Sequence, residues 1–371
     1  MRRILFPVSA LLVVSLLLLS FGFRMQNRKE GLELAVIAYY SGNSKAIDSY
    51  PVKKLTHIIY SFCHLKGNKL NVDNADDSAT IKKLVSLKAI NPKLKVLLSL
   101  GGWAGCEFCS PVFATDDGRT DFANSVKEVN DYFKTDGIDL DWEYPSIEGY
   151  PGHKYQSSDR VNFTSLVKTI RNSIGDQHEI SFAAGGFNEF LKRSIDWKEV
   201  MPVVNFVNLM SYDLVNGFST TTGHHTPLYS TVQQTESADN AINYLISAGV
   251  PADKIVIGSA FYGRTWERVP ADNNGLYQSG KFKSFIPYRL FNQLVSTDSG
   301  FVFFQDTIAK APYAYNATKR TFATFDDKLS IRNKTKYVKD KGLYGVMFWE
   351  LTLDSYSDGL LDVIDKVKNE K

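Results

Sequence analysis

Cysteine is scarce in this chain. Three in 371 residues cannot build a disulfide-stapled scaffold, so the fold rests on an ordinary apolar core. Charge of one sign is lacking too. Forty-three Lys and Arg against 40 Asp and Glu leave +3, which excludes a nucleic-acid binder that works by neutralising phosphates. There is no low-complexity segment, and no GxGxxG, GxxxxGK[ST] or Ser/His/Asp pattern stands in a context that would give it meaning. With 44% hydrophobic and 22% charged residues, disorder, collagen and coiled coil are excluded as well. The length suits one large or two small domains. What the chain does hold is aromatic: 24 Phe, 19 Tyr and 5 Trp. Aromatic rings fill cores, and their flat faces also stack on sugar rings and bases.

Residues 1–23 carry Arg2 and Arg3 and then a mostly apolar run, densest over 11–19. Its length fits a secretory signal peptide or an uncleaved N-terminal anchor, and Ser20-Phe21-Gly22 is the best small-x-small cleavage site. A buried core helix is excluded because the run has no polar face. Export places the chain in an oxidising compartment, secreted or extracytoplasmic. There Cys106 and Cys109, a C-x-x-C, form a local loop disulfide or remain two free thiols. With no second pair and no His nearby, they do not make a zinc site. Cys63 lies in an apolar run and reads as a small core residue. Sequons stand at Asn162, Asn316 and Asn333.

Eight short apolar, β-branched or aromatic runs recur, at 34–40, 57–62, 95–100, 137–143, 180–184, 206–210, 255–261 and 345–350. Helical patterns fall between many of them. Phe122, Val126, Val129 and Phe133 share one helix face, as do Leu166, Ile170 and Ile174. Over 237–248, Ser237 can cap a helix that Gly249 and Pro251 end. Eightfold strand–helix alternation predicts an α/β chain over 31–371, a (β/α)8 barrel rather than a doubly wound sheet. The long gap before the last run holds further β-rich segments. It predicts a small α+β insertion over 268–326, after strand 7, walling the face where barrels carry their active sites.

The fourth run reads Asp136-Gly-Ile-Asp139-Leu-Asp141-Trp-Glu143-Tyr-Pro145. Strand side chains alternate, so Asp139, Asp141 and Glu143 face the barrel interior while Ile138, Leu140 and Trp142 face the helices. Stacked carboxylates cannot all ionise; one holds a proton at neutral pH, as a general acid must. Glu143, nearest the mouth, is the candidate donor, and Asp141 below it can share the proton.

The pattern Asp136-x-x-Asp139-x-Asp141-x-Glu143 resembles the DxxDxDxE signature of family 18 glycoside hydrolases, the chitinases. Ser99-Leu-Gly-Gly102-Trp103 resembles the family's SxGG motif, Met210-Ser-Tyr212-Asp213 its MxYD motif, Phe261-Tyr-Gly-Arg264 its strand 7 end and Gly345-Val-Met-Phe-Trp349-Glu350 its strand 8. The insertion looks like that of the deep-cleft subgroup. The resemblance covers about 34–369. It implies a substrate-assisted retaining hydrolysis of chitin and chitooligosaccharides. Glu143 would be the acid and base, Asp141 would stabilise the substrate's reacting acetamido group and Asp139 would tune Asp141. Tyr212 and Asp213 would contact the same sugar. The resemblance makes Trp349 the sugar floor, puts Tyr39 and Ser99 below the carboxylates, and brings Phe62, Gly102, Trp103, Tyr144, Met210 and Arg264 to the substrate. It implies no cofactor, no metal and no protein partner, hence a monomer.

Phe218 stands where many relatives carry Trp, which weakens stacking in the leaving-sugar subsites. His224-His225 reads as a loop pair, since neighbours cannot easily face one ion. Glu350 reads as structural. A non-catalytic chitin-binding lectin and an endo-β-N-acetylglucosaminidase acting on N-glycans are the alternatives. The intact carboxylates weigh against the first; Trp142, Tyr144 and the insertion, as walls of a deep cleft, weigh against the second. No separate carbohydrate-binding module is read, so soluble oligomers should be hydrolysed better than crystalline chitin.

Overall fold

The computed structural model describes residues 33–370, and the N-terminal segment 1–23 lies outside them. The strands are β1 (Ala35–Tyr40), β2 (His57–Lys66), β3 (Lys69–Asn71), β4 (Lys95–Gly101), β5 (Gly137–Asp141), β6 (Glu179–Gly185), β7 (Phe206–Met210), β8 (Ile255–Ala260), β9 (Tyr262–Glu267), β10 (Lys281–Pro287), β11 (Val302–Asp306), β12 (Ala311–Asn316), β13 (Thr321–Phe325) and β14 (Gly345–Trp349). The α-helices are α1 (Ala75–Ser86), α2 (Cys109–Phe113), α3 (Asp116–Phe133), α4 (Asp159–Ile174), α5 (Asn188–Arg193), α6 (Trp197–Val200), α7 (Ala238–Ser247), α8 (Tyr288–Leu294), α9 (Lys328–Lys341) and α10 (Leu360–Asn369). Strands β1, β2, β4, β5, β6, β7, β8 and β14 pair in parallel, and the β1–β2 and β1–β14 pairings close them into an eight-stranded (β/α)8 barrel.

Alternation along the strands sorts the core into two layers. In β1, Ala35, Ile37 and Tyr39 fill the barrel with Ile59, Leu97, Phe206 and Met347, whereas Val36, Ala38 and Tyr40 pack outward under the helices. The helices start where the sequence offers caps. Thr115 accepts from the Gly118 N–H before α3, and Ser237 accepts from the Asn240 N–H before α7. Phe122, Val126 and Phe133 are the buried stripe of α3, as their spacing predicts.

The insertion is a five-stranded antiparallel sheet in the order β10-β9-β13-β12-β11, with Phe291 of α8 packed on Ile286 and Phe325. It begins at Tyr262, earlier than the 268 read from sequence. Only Phe261 separates β8 from β9, and no Gly, Pro or Asn marks the break. A buried pair ties the insertion to the barrel: the Lys334 ammonium donates to Asp326 Oδ2 at 2.6 Å, and that oxygen accepts from the Ala260 N–H at 3.0 Å. Cys106 and Cys109 are joined by a disulfide in the loop after β4, and Cys63 is buried and free. Of the sequons, Asn316 is buried in the insertion core. Among the described residues no helix is long and apolar enough to cross a membrane.

Candidate active site

Register decides what meets at the heart of the barrel. Asp139 of β5 lies opposite Ser99 of β4 on one side and Ser181 of β6 on the other. Its side chain, fully buried, accepts from Tyr39 at 3.0 Å, Ser99 at 2.8 Å, Ser181 at 2.6 Å and the Asn208 amide at 3.1 Å. Burial raises its pKa, and these four donors pull the other way. Asp136 does not join the ladder: it accepts from the Val96 N–H and pairs with Lys88 at the opposite end of the barrel.

One step nearer the mouth stands Asp141. Burial pushes its carboxyl well above the usual range, and the charges of Glu143 and Asp139 add to that. Its Oδ1 is buried without any hydrogen-bond partner. Strand β5 ends there. Glu143 lies beyond it in a left-handed conformation with φ of 38°, so simple alternation does not carry it inward. The turn does, bringing its carboxyl against Asp141 closely enough to share a proton. Burial pushes Glu143 up to about 7.

Asp213 also sits at positive φ, 57°, just past β7. Its two oxygens take a bidentate fork from Arg264 of β9, at 2.5 and 2.6 Å. Burial alone would raise this carboxyl, but His225 and Arg264 outweigh it and hold Asp213 well below the usual range. The Arg264 guanidinium lies between the Tyr262 and Phe282 rings.

Asp141, Glu143, Asp213, Tyr262 and Arg264 line one cleft of about 770 Å3. Of the sequence candidates, Tyr39, Phe62, Trp103, Asp141, Glu143, Tyr144, Met210, Tyr212, Asp213, Arg264 and Trp349 face it. Asp139, Ser99 and Gly102 do not. Ser99 is wholly buried beneath Asp139. Gly102 is pressed on Phe62: at its φ of +83° an added Cβ would lie 2.4 Å from that ring. Phe62 in turn stacks on Trp349 at 5.5 Å, with Tyr39 at 5.8 Å from the same indole. Trp142 is not a cleft wall as the sequence reading had it. It is 4% exposed and packs on Phe113 and Phe163 on the helix side, where the alternation of β5 sends it. Glu350 accepts from the Ser41 and Thr352 N–H groups, away from the cleft.

Trp103, 39% exposed, lines the cleft with Phe218 at 6.3 Å and has Tyr150 at 5.8 Å. The sequence reading passed over Asn208, Ser181, Tyr262, Phe187 and Phe285, and read His225 only as a loop residue. Asn208 was within reach, since it lies two residues before Met210 and therefore on the same face of β7. Phe187 and Phe285 had no such signal. His224 and His225 are buried and face different carboxylates: His224 Nε2 lies 3.0 Å from Asp306, and His225 Nδ1 lies 3.6 Å from Asp213.

The family description Glycosyl hydrolases family 18 matches residues 35–354. Chitinase A1 of Niallia circulans is 33% identical over 302 residues, which is 75% of this chain; the chain spans 43% of that protein's length. Chitinase B of Serratia marcescens is 28% identical over 431 residues, covering 90% of this chain and 84% of its own. A solved family 18 N-acetylglucosaminidase from Paenibacillus barengoltzii superposes with a TM-score of 0.82 at 36% identity, covering 90% of this chain and 99% of its own. A match that runs from the first barrel strand to beyond the last, on a barrel with this carboxylate ladder, makes the chain a glycoside hydrolase and a member of glycosyl hydrolase family 18.

Proposed function

We propose that this enzyme is a chitinase, cleaving β-1,4 bonds between N-acetylglucosamine units with retention by a substrate-assisted route. The observation that carries the reading is the buried, unpartnered Oδ1 of Asp141 beside a Glu143 whose proton is held up to about 7. An acidic proton and a waiting acceptor are what an acetamido sugar needs. Glu143 protonates the glycosidic oxygen. The substrate's own acetamido oxygen attacks the anomeric carbon, and its N–H, now partly positive, donates to Asp141. Glu143, ionised, then takes a proton from the water that opens the intermediate. With the acetamido oxygen as nucleophile, this route needs no protein carboxylate ~5 Å across from the acid. Tyr212 hydrogen-bonds the acetamido oxygen and Asp213 the same sugar, with Trp349 as the floor.

The test is hydrolysis of N-acetylglucosamine hexamer followed by NMR. β-Anomeric products at early times support retention, and α-anomers sink it. The Paenibacillus relative is described as an N-acetylglucosaminidase and matches at 36% identity, which favours a second reading, release of single sugars from a chain end. Monomer as the first product would favour that reading; dimers and trimers favour the first. Binding without cleavage would leave only a lectin, and release of N-glycans in preference to oligomer cleavage would move the assignment to an endo-β-N-acetylglucosaminidase.

The exposed ring of Trp103 offers a stacking platform for a sugar beyond the cleaved bond. Trp103→Ala is expected to raise KM for the hexamer about fivefold, roughly 1 kcal/mol, with kcat little changed. Steady-state kinetics check it, and an unaltered KM would remove Trp103 from the subsites. We further propose export of the enzyme, directed by residues 1–23.

A further inference from the structure

His225 has no place in the mechanism above, yet it is built into the cleft wall. Its ring is fully buried, lies 5.3 Å from the Tyr262 ring, and presents Nδ1 to Asp213 Oδ1 at 3.6 Å. Neither ring nitrogen has a hydrogen-bond partner. A buried imidazole without a partner costs stability, so its persistence asks for a reason. Slack in the loop is not that reason, because the main chain is fixed on every side. The His225 N–H donates to Thr324 Oγ1 at 3.1 Å and its carbonyl accepts from the Leu214 N–H at 3.0 Å. The His224 N–H donates to Gln234 at 3.0 Å, and Thr226 donates to the Ser211 carbonyl at 3.2 Å while accepting from Lys334 at 2.5 Å. Strand β13 of the insertion sheet, the segment beyond β7 and Lys334 of α9 therefore hold this ring against Asp213.

At 3.6 Å the contact is too long for a hydrogen bond, and both Asp213 oxygens are engaged by Arg264. An Asp213 that turns toward a bound sugar must loosen part of that fork. Hydrogen bonds that act in catalysis are often long in the unliganded enzyme and tighten with substrate. We propose that His225 is a positioning residue. Its Nδ1–H is a reserve donor that takes Asp213 Oδ1 when the carboxylate swings to the sugar, so that Asp213 stays anchored on two sides through the reaction. The inference rests on the reading of Asp213 as a sugar contact. The groups facing the ring are Asp213 from beyond β7, Arg264 and Tyr262 from β9, and Asp326 from the end of β13. Burial holds the imidazole below its usual pKa, against the pull of Asp213.

Three variants separate positioning from packing. His225→Phe keeps a ring of similar volume and removes the donor. His225→Asn restores an N–H near the Nδ1 position with less volume. Asp213→Asn tests the reading underneath. With chitooligosaccharide as substrate, His225→Phe is expected to lower kcat about tenfold with KM within about twofold, and His225→Asn to recover kcat to within about threefold of wild type. Their melting temperatures should rank the other way, with Phe at or above Asn. A wild-type kcat in His225→Phe, or an equal loss in His225→Asn, overturns the proposal, and a kcat loss in Asp213→Asn alongside would show that the role of Asp213 still stands. An undiminished Asp213→Asn, or a wild type that does not cleave, overturns both.

Discussion

Glu143→Gln is expected to lower kcat about a thousandfold while leaving oligosaccharide affinity nearly unchanged, because general acid catalysis is worth ~10²–10⁴ and the amide has the shape of the carboxylic acid without its proton to give. The expectation has a pH signature in wild type. Burial raises Glu143 to about 7, so the protonated form is present below that value and is lost as the pH rises through it. Activity measured as kcat/KM should therefore fall on the alkaline side with a midpoint near 7, and the residual activity of Glu143→Gln should lack that limb. Kinetics on soluble oligomer from pH 4 to 9, with calorimetric affinity for the same oligomer, would check both. More than a tenth of wild-type turnover in the variant would remove Glu143 from the role.

The barrel was legible because each of its strands is a short run whose alternation is set by burial on two faces. Asp139 could be placed on the inner face from period two alone, whereas Tyr39, Ser99 and Trp349 were placed there by the family resemblance. Glu143 could not, in physical terms. It stands past the last ladder residue of β5, and a left-handed turn rather than strand alternation aims it at Asp141. The sequence reading reached the right neighbour by extending the strand too far. Trp142 shows the opposite error: its alternation was read correctly and then set aside for a place in the cleft wall that its burial against Phe113 and Phe163 denies. What could not be read at all arises from contacts far apart in the chain. Ser181 and Asn208 reach Asp139 from 42 and 69 residues away. His225 comes to Asp213 only because the insertion sheet folds back on the barrel, and no local pattern in Gly223-His224-His225-Thr226 announces it.

Asp141→Asn is expected to separate two functions that Glu143→Gln removes together. An Asn at 141 can still donate to Glu143, so the proton on the acid and the alkaline limb near 7 should persist. What the amide cannot do is carry negative charge. In wild type, burial and then the neighbouring charges of Glu143 and Asp139 raise the Asp141 carboxyl well above the usual range. Beside a positive acetamido group the ionised form of Asp141 is favoured, its proton passing down to the Asp139 carboxylate, so that the free Oδ1 of Asp141 meets that group as an anion while Glu143 stays ionised for the water step. A neutral amide leaves that charge unbalanced in a buried site, and loss of one such preorganised partner costs ~10²–10³ in kcat. Turnover should thus drop about a hundredfold or more, with affinity for the resting oligomer within about tenfold, ~1.4 kcal/mol, since no charge has yet developed. A pH profile lowered in height but unmoved in midpoint identifies Asp141 as the stabiliser of the intermediate. A midpoint that moves with little loss of height would make it only a modulator of Glu143, and the substrate-assisted route would then lack its counter-charge.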